Sequence, residues 1–223
     1  VTGDTASSDF PTTAGVFDPS YNDAGDSFVV KLNATGSGLL FATFLGGHNY
    51  DRATGIAADS TGQTVVVGHT SSSNFPTTVD VFDRSYNDIG DTYDDAFIAR
   101  LSTDGSDLVY ATFLGGASND EAAAVTLDSL GRANVVGTAY SVDFPQTAGA
   151  VDHNADGGDS FFFRLSLDTP CVSALRTSQP PVIDGGLGDW GSWQPFALSR
   201  DTAATIGTQP TGSPTPSASD NST

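Results

Sequence analysis

Glutamate is almost missing from this 223-residue chain. Glu121 is the single Glu among 27 acidic residues, and all the others are Asp. Aspartate favours turns and oxygen-ligand sites, whereas glutamate favours helices. No stretch places apolar residues at the helical period of 3.6. The sequence therefore predicts acidic loops in an all-β protein with little or no helix.

Basic residues and cysteine are also scarce. The chain has 8 Lys and Arg, which gives a formal net charge of −19. A phosphate backbone would be repelled, so we expect no nucleic-acid partner. No apolar run approaches the roughly 18 residues of a membrane span, so we expect no membrane-spanning segment. Cys171 is the only cysteine, and no disulfide can form within the chain.

Sequence motifs of the common catalytic sites are absent. The chain has no G-x-S-x-G nucleophile turn, no Walker-type phosphate loop and no cysteine pair. Its three histidines, His48, His69 and His153, occupy unrelated positions without metal-ligand spacing. We therefore predict no catalytic residues and no enzyme, with a fragment of a propeller enzyme kept as an alternative.

Internal repetition is what the chain has in abundance. Three anchors recur at spacings of 64 to 69 residues. They are Phe-Pro at 10–11, 75–76 and 144–145, ATFLGG at 42–47 and 111–116, and Asp-x-Phe at 26–28, 95–97 and 159–161. Repeat units follow at about 5–70, 71–139 and 140–169. Such a period indicates an array of similar units.

Each full unit contains four short runs rich in Val, Phe, Thr and Leu, here called positions a to d. In the first unit they lie at 27–33, 39–47, 53–60 and 64–70. Short turns join a to b and c to d, which predicts antiparallel neighbours. A long Asp- and Gly-rich loop joins d to the next a, and we expect it to connect consecutive blades. The pattern predicts four-stranded propeller-like blades, two complete and two partial.

Residues 1–166 resemble the bacterial β-propeller repeat (SBBP) family. The matching residues of the first copy are Thr5, Asp9–Thr13, Asp18, Ser20–Asn22, Gly25–Asp26, Phe28, Lys31–Leu32, Gly36–Ser37, Thr43–Gly47, Asp51, Asp59 and Gly62. The second copy matches equally well, and the third matches as far as Leu165. The resemblance implies a β-propeller within a large extracellular or cell-surface protein, and it implies no reaction.

The C-terminal part differs from the repeats, which we place at 1–169. Residues 170–206 combine a linker with a segment, from about 182, that resembles the start of a carbohydrate-binding-type β-sandwich. Its Trp190 and Trp193 could stack on a sugar or sit in a core. Residues 207–223 form a Pro/Ser/Thr-rich tail, typical of a stalk. Asn33 and Asn221 begin glycosylation sequons.

The repeated loops concentrate acidic and amide oxygens, which are the ligands of Ca²⁺. Two candidate calcium sites follow, and the second holds more acids. The first contains Asp18, Asn22, Asp23 and Asp26, and the second contains Asp83, Asn87, Asp88, Asp91, Asp94 and Asp95. The alternative is that these side chains shape the loops through bonds to the backbone.

These features predict a non-enzymatic extracellular module with a structural or adhesive role. Incomplete blades favour further blades in a parent chain, or a filament or surface assembly completed by strand exchange between copies. The alternative function is a carbohydrate-binding surface module that uses Trp190 and Trp193. Calcium is the one cofactor expected, and glycans are expected as possible ligands.

Overall fold

The protein is all-β in the residues that the structure describes. A computed structural model covers residues 1–87, 93–152 and 157–167. These residues contain ten strands and no helix, as predicted. The strands are β1 (Thr2–Thr5), β2 (Asp26–Leu32), β3 (Leu39–Leu45), β4 (Asp51–Ala58), β5 (Thr64–Thr70), β6 (Asp95–Leu101), β7 (Leu108–Leu114), β8 (Asp120–Leu127), β9 (Ala133–Ala139) and β10 (Asp159–Leu165).

The ten strands form three antiparallel sheets. Their orders are β1-β2-β3, β4-β5-β6-β7 and β10-β9-β8. The predicted all-β fold of antiparallel, blade-like sheets is therefore confirmed. In the described residues one sheet has four strands and two have three, where we expected two complete and two partial blades. Each sheet follows the order c-d-a-b, and the first lacks c while the last lacks b.

The long loop was assigned to the wrong connection. Strands d and a are hydrogen-bonded neighbours within one sheet, because β5 pairs with β6 along all seven residues. The chain changes sheet instead at the short b-to-c turns, 46–50 and 115–119. The loop is long because it folds back across its own sheet, as the next contacts show.

The returning loop lies along the outer edge of strand b. Thr13 N donates to Ala42 O at 3.0 Å, and Ala42 N donates to Thr13 Oγ1 at 3.1 Å. Phe44 N donates to Asp18 O at 2.9 Å. Thr78 and Asp83 make the same bonds to β7 in the second loop. The loop therefore occupies polar groups that a strand edge would otherwise leave open.

The Phe-Pro anchor places an aromatic ring on the sheet. The rings of Phe10 and Phe28 lie 4.7 Å apart, and those of Phe75 and Phe97 lie 4.5 Å apart. The third copy repeats the contact at 4.8 Å. Phe161 is paired with Gly137, where a Cβ would lie 2.6 Å from the Phe161 ring, so glycine leaves room for the ring. The recurrence of Phe-Pro thus reflects packing.

The middle sheet has a buried apolar face on each side. One face, with Val65, Val67 and Ile98, joins a cluster with Val125 and Val135 of the last sheet. The other face packs against the first sheet in a second cluster, whose buried members are Val29, Phe41, Leu45, Ala53, Val66, Phe75, Phe97, Ala99, Leu101, Ala111 and Phe113. The three sheets are therefore stacked face to face, with the four-stranded sheet between the others.

No described segment forms a helix long and apolar enough to cross a membrane.

Candidate functional site

Two buried carboxyl groups meet where the chain passes from the first sheet to the second. Asp26 begins β2 and Asp51 begins β4, and both are 0% exposed. Gly46 lies between them. A Cβ on Gly46 would sit 2.5 Å from Asp51 Oδ2 and 3.1 Å from Asp26 Oδ1, so both oxygens face the same point. Glycine is required here because any side chain would displace the carboxylates.

Asp51 organises the turn between the sheets. Its Oδ2 accepts hydrogen bonds from Gly47 N at 2.6 Å and from Ser72 Oγ at 3.0 Å. Its Oδ1 accepts from the Thr70 hydroxyl. These donors hold residues on both sides of the turn, so Asp51 fixes the b-to-c connection.

Asp26 has one oxygen without a donor. Its Oδ2 accepts from Asn22 N at 2.8 Å, while its buried Oδ1 has no hydrogen-bond partner among the described residues. Burial raises the pKa of Asp26 to about 6, and the neighbouring charge of Asp51 contributes. Burial also raises the pKa of Asp51 to about 6, against the hydrogen bonds from Thr70, Gly47 and Ser72. Burial therefore disfavours the charged form of both carboxyl groups.

The next sheet connection repeats this arrangement. A Cβ on Gly115 would lie 2.4 Å from Asp95 Oδ1 and 3.2 Å from Asp120 Oδ2. Asp120 accepts from Gly116 N at 2.8 Å and from Ser141 Oγ at 2.6 Å. Burial raises the pKa of Asp120 as well. The acid pair is therefore a property of the repeat.

The first loop uses its acids to shape itself. Asp18 accepts from Ser20 N at 2.9 Å and from Asn22 Nδ2 at 2.9 Å. Asp23 is exposed and adopts a left-handed conformation with φ of 93°. Of the four predicted calcium ligands, Asp18 and Asn22 bond to each other, and Asp26 turns into the sheet junction. These contacts match the alternative in which the side chains form the loop.

The second loop forms the same bonds over a longer span. Asp83 accepts from Ser85 N at 2.8 Å and from Asn87 Nδ2 at 3.0 Å. Asn87 N donates to Asp95 Oδ2 at 3.0 Å, across eight residues, where Asn22 and Asp26 are four apart. Asp94 instead accepts from Ser71 Oγ at 2.6 Å.

The structure brings together only part of the predicted calcium sites. Asp88 and Asp91 lie outside the described residues. Within 1–87, 93–152 and 157–167, no three His, Cys, Asp or Glu side chains converge as a metal would need. Ca²⁺ takes six to eight oxygens, and Asp18 and Asp26 already receive backbone donors. Calcium binding by these loops stays a prediction.

The basic residues at position a lie at the sheet stack. Arg100 Nη2 lies 2.6 Å from Asp59 Oδ2 in a buried ion pair. Although burial opposes it, hydrogen bonds from Thr61 and Arg100 lower the pKa of Asp59 to about 2. Lys31 Nζ crosses to the middle sheet, where it donates to Gly62 O at 3.1 Å and to Thr103 O at 2.9 Å. These contacts assign packing roles to Lys31 and Arg100.

Two of the remaining predicted side chains can be placed and three cannot. The amide Nδ2 of Asn33 contacts Ser37 Oγ at 3.4 Å in the a-to-b turn. His69 Nε2 lies 3.8 Å from Asp94 Oδ2. Trp190, Trp193 and Asn221 lie outside the described residues. Carbohydrate binding through the two tryptophans, and glycosylation at Asn33 and Asn221, therefore stay predictions.

A shallow cavity of about 250 Å³ lies between the second and third loops. Asp83, Asn87 and Asp143 supply its polar lining, and Phe82 and Pro145 supply apolar walls. Asp143 also accepts a hydrogen bond from Ala117 N at 2.9 Å. The polar residues are thus already engaged in holding the loops.

Sequence reasoning missed the pairing of Asp26 with Asp51. Asp26 was grouped with the loop acids because it ends the acidic run. The available signal was its position two residues before Phe28, which makes it the first residue of a strand.

Comparison with known proteins gives no assignment. No protein-family model matches the chain, and no curated protein matches it.

Proposed function

We propose that this chain is a non-enzymatic, extracellular structural module whose copies assemble into a filament or surface array. The extracellular setting and the adhesive role rest on the resemblance of residues 1–166 to cell-surface propeller repeats. Assembly through strand addition rests on the sheets themselves, and one contrast between their edges supports it.

The contrast lies between covered and open strand edges. Loop residues such as Thr13 and Thr78 cover β3 and β7, which are the b strands. Among the described residues, β10 and β1 lie at sheet edges, where β10 pairs only with β9 and β1 pairs only with β2. An open edge offers unpaired N–H and C=O groups to another strand. This difference is the observation that carries the proposal.

The repeat position of each edge strand determines which type of strand can pair with it. β6 is the a strand of the complete sheet, and it pairs with β7 from Ala96 to Leu101. β10 carries the same repeat position, so a strand of b type from another copy fits its edge. β1 is already paired with β2, which is an a strand. A strand that adds to β10 thus continues the order c-d-a-b of that sheet, and the a-to-d pairing is satisfied within the chain.

The test uses the strand-b sequence as a competitor. A lysine-tagged peptide of residues 108–114 is added to the full chain, and assemblies are imaged by negative-stain electron microscopy. We expect filaments or rings without peptide, and shorter assemblies with it. A scrambled peptide serves as the control. Single-copy particles across the accessible concentration range would refute the proposed function.

A further inference from the structure

The last sheet exposes an apolar face that the middle sheet buries. Phe162 is 62% exposed and its cross-strand neighbour Val136 is 42% exposed. The residues at the same repeat positions in the middle sheet are Ile98 and Val67, which are also paired and are both 0% exposed. Ile98 and Val67 are buried because the last sheet packs on them.

The first sheet exposes the face that, in the middle sheet, packs against the preceding sheet. Leu32 and Leu39 are cross-strand partners, and each is 43% exposed. The equivalent pair in the middle sheet is Leu101 and Leu108, which packs in the cluster shared with the first sheet. Leu101 is 0% exposed there. The two end faces are thus the two halves of one type of sheet-to-sheet contact.

We propose that a second copy of this chain stacks on these faces, with the last sheet of one copy against the first sheet of the next. Phe162 and Val136 then enter one cluster with Leu32 and Leu39. The contact continues the stacking already made twice inside the chain. It is a contact between copies separate from the strand edges, and it rests on the assembly proposed above.

A basic side chain supports this direction of stacking. Lys31, at position a of the first sheet, reaches across to carbonyl oxygens of the middle sheet. Arg164 holds the same position in the last sheet, 5.8 Å from the Phe162 ring, and its Nε donates to Asn134 Oδ1 at 2.8 Å. Arg164 therefore stands at the position from which Lys31 reaches the following sheet, whereas Arg100 at this position bonds to Asp59 of its own sheet.

A head-to-tail contact makes a sharp mixing experiment possible, because each face can be blocked separately. The full chain and the variants Phe162→Asp and Leu32→Asp are measured by light scattering over rising concentration. Both positions are exposed, so circular dichroism should show folded variants. The matched control is Val142→Asp, whose 76% exposed side chain occupies a loop position where the middle sheet has exposed Ser73.

The expected result is assembly of the wild type and of Val142→Asp. Each face variant alone should need a concentration roughly tenfold higher to assemble, since a central apolar contact is lost. A mixture of the two variants should form pairs at the wild-type concentration, because one intact face of each remains.

Two results would overturn the proposal, and they differ. If the wild type stays at single-copy mass, the assembly itself is wrong, and with it the proposed function. If both face variants assemble like the wild type, the face contact is wrong while assembly through strand edges stands.

Discussion

Arg100 and Asp59 form a nearly dry ion pair between two parts of the middle sheet. Their side chains are each 11% exposed, and Nη2 lies 2.6 Å from Oδ2. The related pair of Arg132 and Asp128 in the last sheet joins residues four apart, with side-chain exposures of 28% and 21%. One architecture therefore contains a buried and a more accessible version of an Arg–Asp contact.

Loss of the buried pair should cost more than loss of the accessible one. Arg100→Gln leaves the Asp59 charge buried without its partner, so we expect a loss of about 3 kcal/mol in the free energy of unfolding. Arg132→Gln should cost about 1 kcal/mol or less. Urea unfolding at pH 7 measures both, and equal losses would contradict the difference in burial.

Asp26→Asn should stabilise the protein at neutral pH. The pKa of Asp26 is raised to about 6 from 3.8, so its stabilising contribution is complete below pH 4 and is lost as pH rises through 6. Removing the buried charge should raise the free energy of unfolding at pH 7 by about 1–2 kcal/mol. The free energy of unfolding should change less between pH 4 and pH 7 in the variant than in the wild type, as measured by urea unfolding at each pH.

The control for Asp26→Asn separates the buried acid from the surface charges around it. Asp51, Asp18 and Asp23 all add negative charge near Asp26, so part of the pH dependence belongs to the group. Asp23→Asn changes an exposed member of that group and should leave the curve nearly unchanged. If Asp23→Asn flattens it as much as Asp26→Asn does, the effect comes from surface charge rather than from the buried acid.

Gly68→Ala should destabilise the middle sheet. A Cβ at this position would lie 1.9 Å from Arg52 O, beside the irregularity between Ala53 and Gly55. The obstacle is backbone, so we expect a cost of about 3 kcal/mol. Gly149→Ala is the matched control, because nothing lies within 4 Å of its added methyl group. Thermal melting compares the two, and a similar melting temperature for both would contradict the clash.

Calcium binding has a direct test in the melting temperature. If the loops hold Ca²⁺, excess chelator should lower the melting temperature of the full chain by several degrees, because a ligand of the folded state stabilises it. Asp83→Asn with Asp91→Asn should abolish the chelator effect. An unchanged melting curve in chelator would contradict calcium binding. The role of the loop acids would then be to shape the loops, through hydrogen bonds such as those that Asp18 and Asp83 accept.

The strands could be predicted from the sequence, whereas their division into sheets could not. The four strands of the first unit occur within two residues of the positions expected from the repeat, because Val- and Phe-rich runs between Gly and Asp turns are a local signal. Strand c, expected at 53–60, shows the largest shift and lies at Asp51–Ala58. The division depends on the pairing of β5 with β6, which the long loop separates in sequence. The length of the loop predicted a connection between blades, but the loop is long because it runs along the edge of strand b.

The candidate site shows the same limit. Asp51 could be assigned to its turn because Gly46 and Gly47 precede it. Asp51 lies close to Asp26 only because two sheets pack together at this point. The spacing of residues in the sequence does not indicate that contact. The ion pair of Arg100 likewise joins residues far apart in sequence, because its partner is Asp59 of the short turn between β4 and β5.

The bond from Asn22 to Asp26 has a consequence for protein engineering. Asn87 and Asp95 make the same bond although four more residues separate them. Both loops are also anchored before this span, through Asp18 and Asp83. Chain length between Asn and Asp has thus changed without moving either anchor. The span after Asn22 is therefore a permissive site, where a short foreign epitope could be displayed while the sheet keeps its register.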